Sequence, residues 1–148
     1  RAGWLDLSNA AGTLSVPGGT VSLLGTDDAH IHRDRLGAPA SSWGQAGVLH
    51  LGVTHAPYTR VVSALASAGS DLILAGHTHG GQIGIPGGGA IITNCDIARR
   101  YAKGLNRWEA PDGAQSWLHV SAGLGTSPYA KIRIATRPEA SIIHVHPA

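Results

Sequence analysis

Apolar residues fall in short runs along this chain, separated by turns rich in glycine and proline. Residues 4–7, 13–16 and 20–24 each read as a short strand, with "NAAG" and "PGG" making the turns between them. The polar stretch "DDAHIHRDRLGAPASSWGQAG" is expected to be loop. Residues 48–54, "VLHLGVT", are almost continuously apolar, as in a strand buried within a parallel sheet. In "YTRVVSALASAG", Val61, Val62 and Leu65 share one helical face, and Gly69 is placed to end the helix. Residues 71–75 form a second buried strand. Strand, helix and strand within about 30 residues make a βαβ unit, which predicts two parallel strands. Further on, "QIGIPGGGAIIT" predicts a hairpin about residues 86–89, and "SWLHVSAG" and "ASIIHVHP" predict two more strands. No repeat and no second domain is legible. The expected class is α/β, strand-rich, with one clear βαβ unit.

Composition narrows this picture without naming a function. At 148 residues the chain is the size of one domain. Charged residues make up only 14%, below the usual proportion of roughly a quarter, so a self-repelling disordered chain is excluded. The formal net charge is +2, and the basic residues are scattered except at Arg99, Arg100 and Lys103. That pattern argues against a nucleic-acid partner, which prefers a basic stripe. The three clustered cations either hold a substrate phosphate or form a solvated face. The single cysteine, Cys95, excludes an internal disulfide and a cysteine-based zinc site, and reads as a small buried apolar group. No apolar run approaches the roughly 20 residues that cross a bilayer, so no transmembrane segment is expected here. The chain has no methionine and begins Arg1-Ala2-Gly3, so it is expected to be a fragment of something longer or a processed product.

Candidate chemistry lies at the ends of the two strands of the βαβ unit. His55 directly follows the strand at 48–54; His77 and His79 directly follow the strand at 71–75. In open α/β sheets ligands bind outside the carboxyl ends of strands, so neighbouring strands would bring these three imidazoles to one crevice. Residues at i and i+2 in an extended turn point to the same side, which suits two metal ions a few ångströms apart. Gly76, Gly80 and Gly81 would let the backbone bend sharply there. Three imidazoles alone make an incomplete dinuclear site, because no carboxylate offsets the metal charge. His50 and His119 sit inside strands and read as packed residues. His144 and His146 alternate with apolar neighbours and read as the solvent side of an edge strand. Asp96 reads as a turn carboxylate. No Gly-x-Ser-x-Gly elbow and no Walker-type loop is present.

The segment "GHTHGGQI", preceded about 20 residues earlier by "THAP", resembles the last two motifs of the calcineurin-like metallophosphoesterases. "VSLLGTDDAHIHRDRL", "RRYAKGL" and "SWLHVSAGLGTSPYAKIRIATRPEASIIHV" resemble flanking segments in that family's bacterial branch. The resemblance covers the whole chain, as the C-terminal half of such a protein. It implies half of a four-layer αββα sandwich and a site for two divalent ions, Mn, Zn or Fe. By the same resemblance His55 and His77 would share one ion and His79 would hold the other, with a phosphomonoester or phosphodiester as substrate. The family's Asp-x-His, Gly-Asp and Gly-Asn-His motifs are absent, and with them the bridging carboxylate and the proton donor. Asp28-Ala29-His30 spells Asp-x-His, but only residues 31–54 separate it from His55, too few for the missing βαβ units, so it reads as a decoy. The chain is therefore expected to contain metal ligands but no catalytic residue, and to be inactive alone. The alternative is a self-standing, non-catalytic module that binds a metal or a partner through its histidines. Exposed sheet edges and apolar faces on a half-sandwich predict self-association. Some members of the bacterial branch are exported or membrane-tethered, so the compartment, cytoplasmic or membrane-associated, is expected to be encoded in the absent half.

Overall fold

The computed structural model describes residues 3–37, 43, 49–127, 129 and 131–146. At its centre is a six-stranded mixed sheet. β1 (Ala10–Val16) and β2 (Gly19–Gly25) form an antiparallel hairpin over Pro17 and Gly18. β2 runs parallel to β3 (Leu49–Val53), and β3 runs parallel to β4 (Leu72–Ala75). Helix α1 (Thr59–Ser67) connects β3 to β4, so the expected βαβ unit is present. β5 (Gly84–Ile85) and β6 (Gly89–Ala90) form the short glycine-rich hairpin. β7 (Gly104–Glu109) and β8 (Gln115–Val120) form a second hairpin on the main sheet, with β8 parallel to β4 and β7 at the edge.

The two faces of this sheet differ. Val61, Val62, Leu65 and Ala66 of α1 pack in one cluster with Leu24, Ile73, Leu118 and Trp108. Gly52 lies in this contact: a side-chain carbon there would sit 3.3 Å from Leu65 Cβ and 2.8 Å from Ser70 Oγ, so only glycine lets the helix approach so closely. On the opposite face the register aligns Leu23, Leu51, Leu72 and Trp117 in one row across four strands. Val53, Leu74, His119 and Leu105 make the next row. Most of this second face is half-buried, and Leu105 is 54% and Trp117 39% exposed. The described residues hold one α-helix, and it packs on the other side.

Two predicted strands do not form. Residues 4–7 are irregular, and Trp4 is 91% exposed. The Asp6 carboxylate accepts the Ser8 N–H, turning the chain, and although β1 is an edge strand the segment forms no ladder with it. Residues 140–146 are irregular and exposed, so His144 and His146 lie on no strand. Alternation makes a strand only where a partner supplies hydrogen bonds. In the opposite sense, β7 forms where no strand was expected. Its Leu105 and Trp108 lie on opposite faces, which hides the alternation. The predicted strand at 48–54 begins at Leu49 among the described residues, since Val48 lies outside them. No described helix is long and apolar enough to cross a membrane.

Candidate metal centre

The carboxyl ends of β3 and β4 carry the three histidines as expected. Pairing continues past the strands: Thr54 N–H donates to the Leu74 carbonyl at 3.0 Å, and Gly76 N–H donates to the His55 carbonyl at 3.0 Å. This brings His55 alongside the turn that bears His77. His55 Nε2 and His77 Nδ1 are 3.2 Å apart, with the rings edge to face and 5.0 Å between centroids. His77 Nε2 lies 3.2 Å from the Asn94 carbonyl. A carbonyl can only accept, so Nε2 carries the proton and the Nδ1 lone pair is left facing His55. An imidazole tied through one nitrogen to a backbone oxygen is how metal-ligating histidines are oriented.

The pair fits a shared ion. Two nitrogens bound tetrahedrally at about 2.0–2.1 Å are about 3.3 Å apart, close to the observed separation. Burial first, and then the like charges of His55 and His30, push His77 below the ordinary imidazole value, with the Asn94 carbonyl opposing. The neutral, ligating form is thereby favoured. His79 is lowered too, by burial and then by Arg133 and His55. His79 does not join the pair. It lines a separate depression of about 230 Å³ with Thr78, Gln82 and Asn94. Among the described residues no set of three or more His, Cys, Asp or Glu side chains is arranged to hold a metal ion.

The turn that presents these side chains is locally strained. His77 (φ 66°), His79 (φ 50°) and Gln82 (φ 45°) occupy the left-handed region, which costs a non-glycine residue on the order of 1–2 kcal/mol. Thr78 anchors the turn. Its buried hydroxyl donates to the Ala102 carbonyl at 2.6 Å and accepts the Gly80 N–H at 3.3 Å. Gly81 (φ 82°) has no room for a side chain, because an added Cβ would fall 2.2 Å from Ala90 Cβ. Arg133 donates to the His79 carbonyl at 3.2 Å, and to the Ala122, Gly123 and Gly125 carbonyls. No sequence signal singled out Arg133.

His30 is the second residue that sequence reasoning set aside. Its ring lies 4.7 Å from that of His77, and its Nδ1 is 2.9 Å from the Tyr58 hydroxyl. Asp28, by contrast, serves its own turn, accepting the His30 N–H at 2.8 Å. The Asp-x-His spelling thus splits: the carboxylate caps a 3₁₀ turn while the imidazole lies tilted beside His77. The fully buried Ala29 holds that turn on the core. The other candidates have packing roles. Asp96 accepts the Thr59 N–H at 2.7 Å. The His50 ring is 3.4 Å from the Asp71 carboxylate. Cys95 is half-buried against the core, with its thiol pushed up by burial.

Comparison with known proteins matches this chain to metallophosphoesterases. It is 29% identical over 144 residues to Phosphodiesterase YaeI of Escherichia coli (strain K12), covering 97% of this chain and 48% of that protein. It is 28% identical over 139 residues to the uncharacterized metallophosphoesterase YkoQ of Bacillus subtilis (strain 168), covering 93% of this chain and 47% of that protein. The chain spans about half the length of these curated relatives. No family model matches it, and no solved structure matches it significantly. Along nearly all its length the chain is similar to part of a bacterial metallophosphoesterase, consistent with the C-terminal half of such a hydrolase.

Proposed function

We propose that this chain is the C-terminal half of a dinuclear metallophosphoesterase that hydrolyses phosphomonoesters or phosphodiesters. The observation that carries the reading is the 3.2 Å approach of His55 Nε2 to His77 Nδ1 at adjacent parallel strand ends. His55 and His77 would hold one divalent ion and His79 a second. Ions held there would supply Lewis-acid stabilisation of charge on a phosphoryl oxygen. The strained His77–Gln82 turn supports the assignment, since such backbone is kept where function over-determines it. The missing bridging carboxylate and proton donor would come from the other half, so the isolated chain is inactive.

The second sheet face, which carries no helix among the described residues, supports the four-layer arrangement. A parallel sheet is ordinarily covered on both faces, and here the Leu23, Leu51 and Trp117 side has no helix among the described residues. The relatives are about twice as long, and a second sheet from the remaining half would pack on this side. His119 Nε2, buried on this face, has no hydrogen-bond partner among the described residues, as expected if its partner lies in that second sheet.

The test uses the longer protein. With Mn²⁺ it should hydrolyse bis-p-nitrophenyl phosphate. His77→Ala or His79→Ala should lower kcat/KM by about 100-fold or more, equivalent to about 2.7 kcal/mol of transition-state stabilisation. No hydrolysis, or hydrolysis indifferent to either substitution, would leave the non-catalytic histidine module as the better reading.

A further inference from the structure

The His79–Gly81 turn borders a second and larger groove, of about 700 Å³, whose lining includes Gly80, Ala90, Arg99, Arg100 and Lys103. Three cations thus face one space within five residues of sequence, all of them exposed. The ion pairs among the described residues are Arg60 with Asp34 and His50 with Asp71, so none of the three has a carboxylate partner there. An anion in that space would offset their like charge. Arg100 lies 4.5 Å over the Tyr101 ring and donates to its hydroxyl at 3.0 Å.

The groove is tied to the histidine turn at two points. Thr78 donates to the Ala102 carbonyl, next to Lys103. Gly80 (φ 66°) lies against Lys103: a side-chain carbon at Gly80 would come 3.5 Å from Lys103 Cδ. Glycines at 87–89 line the groove as well, leaving its far side free of side chains. A group held at the histidines therefore has a cationic, open space one residue away from His79. That space is too large for the reacting phosphate alone.

We propose that this groove is a subsite for a second phosphate-type group of the substrate, so that diphosphate-bearing esters are preferred over esters with one phosphate. The substrate preference rests on the phosphoesterase reading, whereas the anion affinity of the groove does not. Guanidinium and ammonium groups recognise phosphate oxygens through charge-assisted hydrogen bonds.

The probe is inorganic pyrophosphate, titrated calorimetrically into the metal-free full-length protein, with inorganic phosphate as the comparison. Pyrophosphate should bind about tenfold or more tightly than phosphate. The double variant Arg99→Gln/Lys103→Gln should weaken pyrophosphate by about tenfold or more, and His79→Ala by less than about twofold. If the double variant melts early, Arg100→Gln removes a charge from the same groove and should weaken binding in the same direction. Equal affinity for the two anions, unchanged binding in the charge variants, or an equal loss in His79→Ala would overturn the subsite. Hydrolysis of bis-p-nitrophenyl phosphate without pyrophosphate binding would sink the groove alone. Pyrophosphate binding without any hydrolysis would sink the phosphoesterase reading and keep the groove.

Discussion

The residue between His77 and His79 does more than space them. Thr78 is buried, and its hydroxyl joins the turn to the segment carrying Arg99 and Lys103. Replacing it with valine keeps the shape but leaves the Ala102 carbonyl and the Gly80 N–H without that partner. Thr78→Val should cost about 1–3 kcal/mol in denaturant unfolding and lower metal affinity, because the histidine turn loses its anchor. A second prediction concerns pH. Burial holds His77 and His79 below the ordinary imidazole value, so the unfolded chain takes up protons at these positions first. Below about pH 6.5 the unfolded state gains, and stability falls as pH falls until the folded groups protonate too. The urea midpoint of the metal-free protein should therefore drop from about pH 7.5 to about 5.5. The drop should be shallower in His77→Asn; equal slopes would show that His77 is not held neutral by the fold.

At the scale of elements, α1 begins without a cap of its own. Tyr58 occupies the N-cap position and makes no side-chain cap bond, while its hydroxyl reaches His30. Asp96, 37 residues later, accepts the first helical N–H at Thr59. This carboxylate near a helix N-terminus also complements the helix dipole. Asp96→Ala should lower the melting temperature in line with a loss of about 1 kcal/mol. Asp96→Asn, which keeps an acceptor, should lose less. The same cap ties the 93–97 segment to the helix start, and Asn94 of that segment orients His77. A second expected effect of Asp96→Ala is therefore weaker metal binding, read by titration of Mn²⁺.

For the whole molecule, the decisive feature is a sheet whose second face carries no helix among the described residues. Leu105 and Trp117 are exposed on the open face, where Arg107 lies 4.0 Å over the Trp117 ring across the β7–β8 pair. An apolar sheet face of this kind packs against another sheet at about 10 Å. The 148-residue chain by itself should therefore self-associate in sedimentation experiments at micromolar concentration. Trp117→Lys with Leu51→Lys should shift it toward monomer. A monodisperse monomer of the unaltered chain would count against the half-sandwich.

The local rules were legible where both neighbours in sequence and neighbours in space agree. The β1–β2 turn, the apolar face of α1, Gly69 beyond its end and the parallel pairing of β3 with β4 all followed from periodicity and short connections. The three histidines were visible because strand ends in such a sheet are where ligands bind. Residues 4–7 and 140–146 misled because alternation describes a strand's surface and not its partner. β7 was missed for the converse reason, since its hydrogen bonds to β8 outweigh a weak pattern. By itself the sequence determined which residues prefer helix, strand or turn, and where imidazoles follow strand ends, because these depend on side-chain type and spacing. Only the tertiary structure decided that the His30 ring lies beside His77 while Asp28 caps its own turn, that Asp96 caps α1, that Arg133 holds the histidine turn, and that one sheet face carries no helix among the described residues. Each of these depends on contacts between segments far apart in the chain, which spacing along the sequence does not encode.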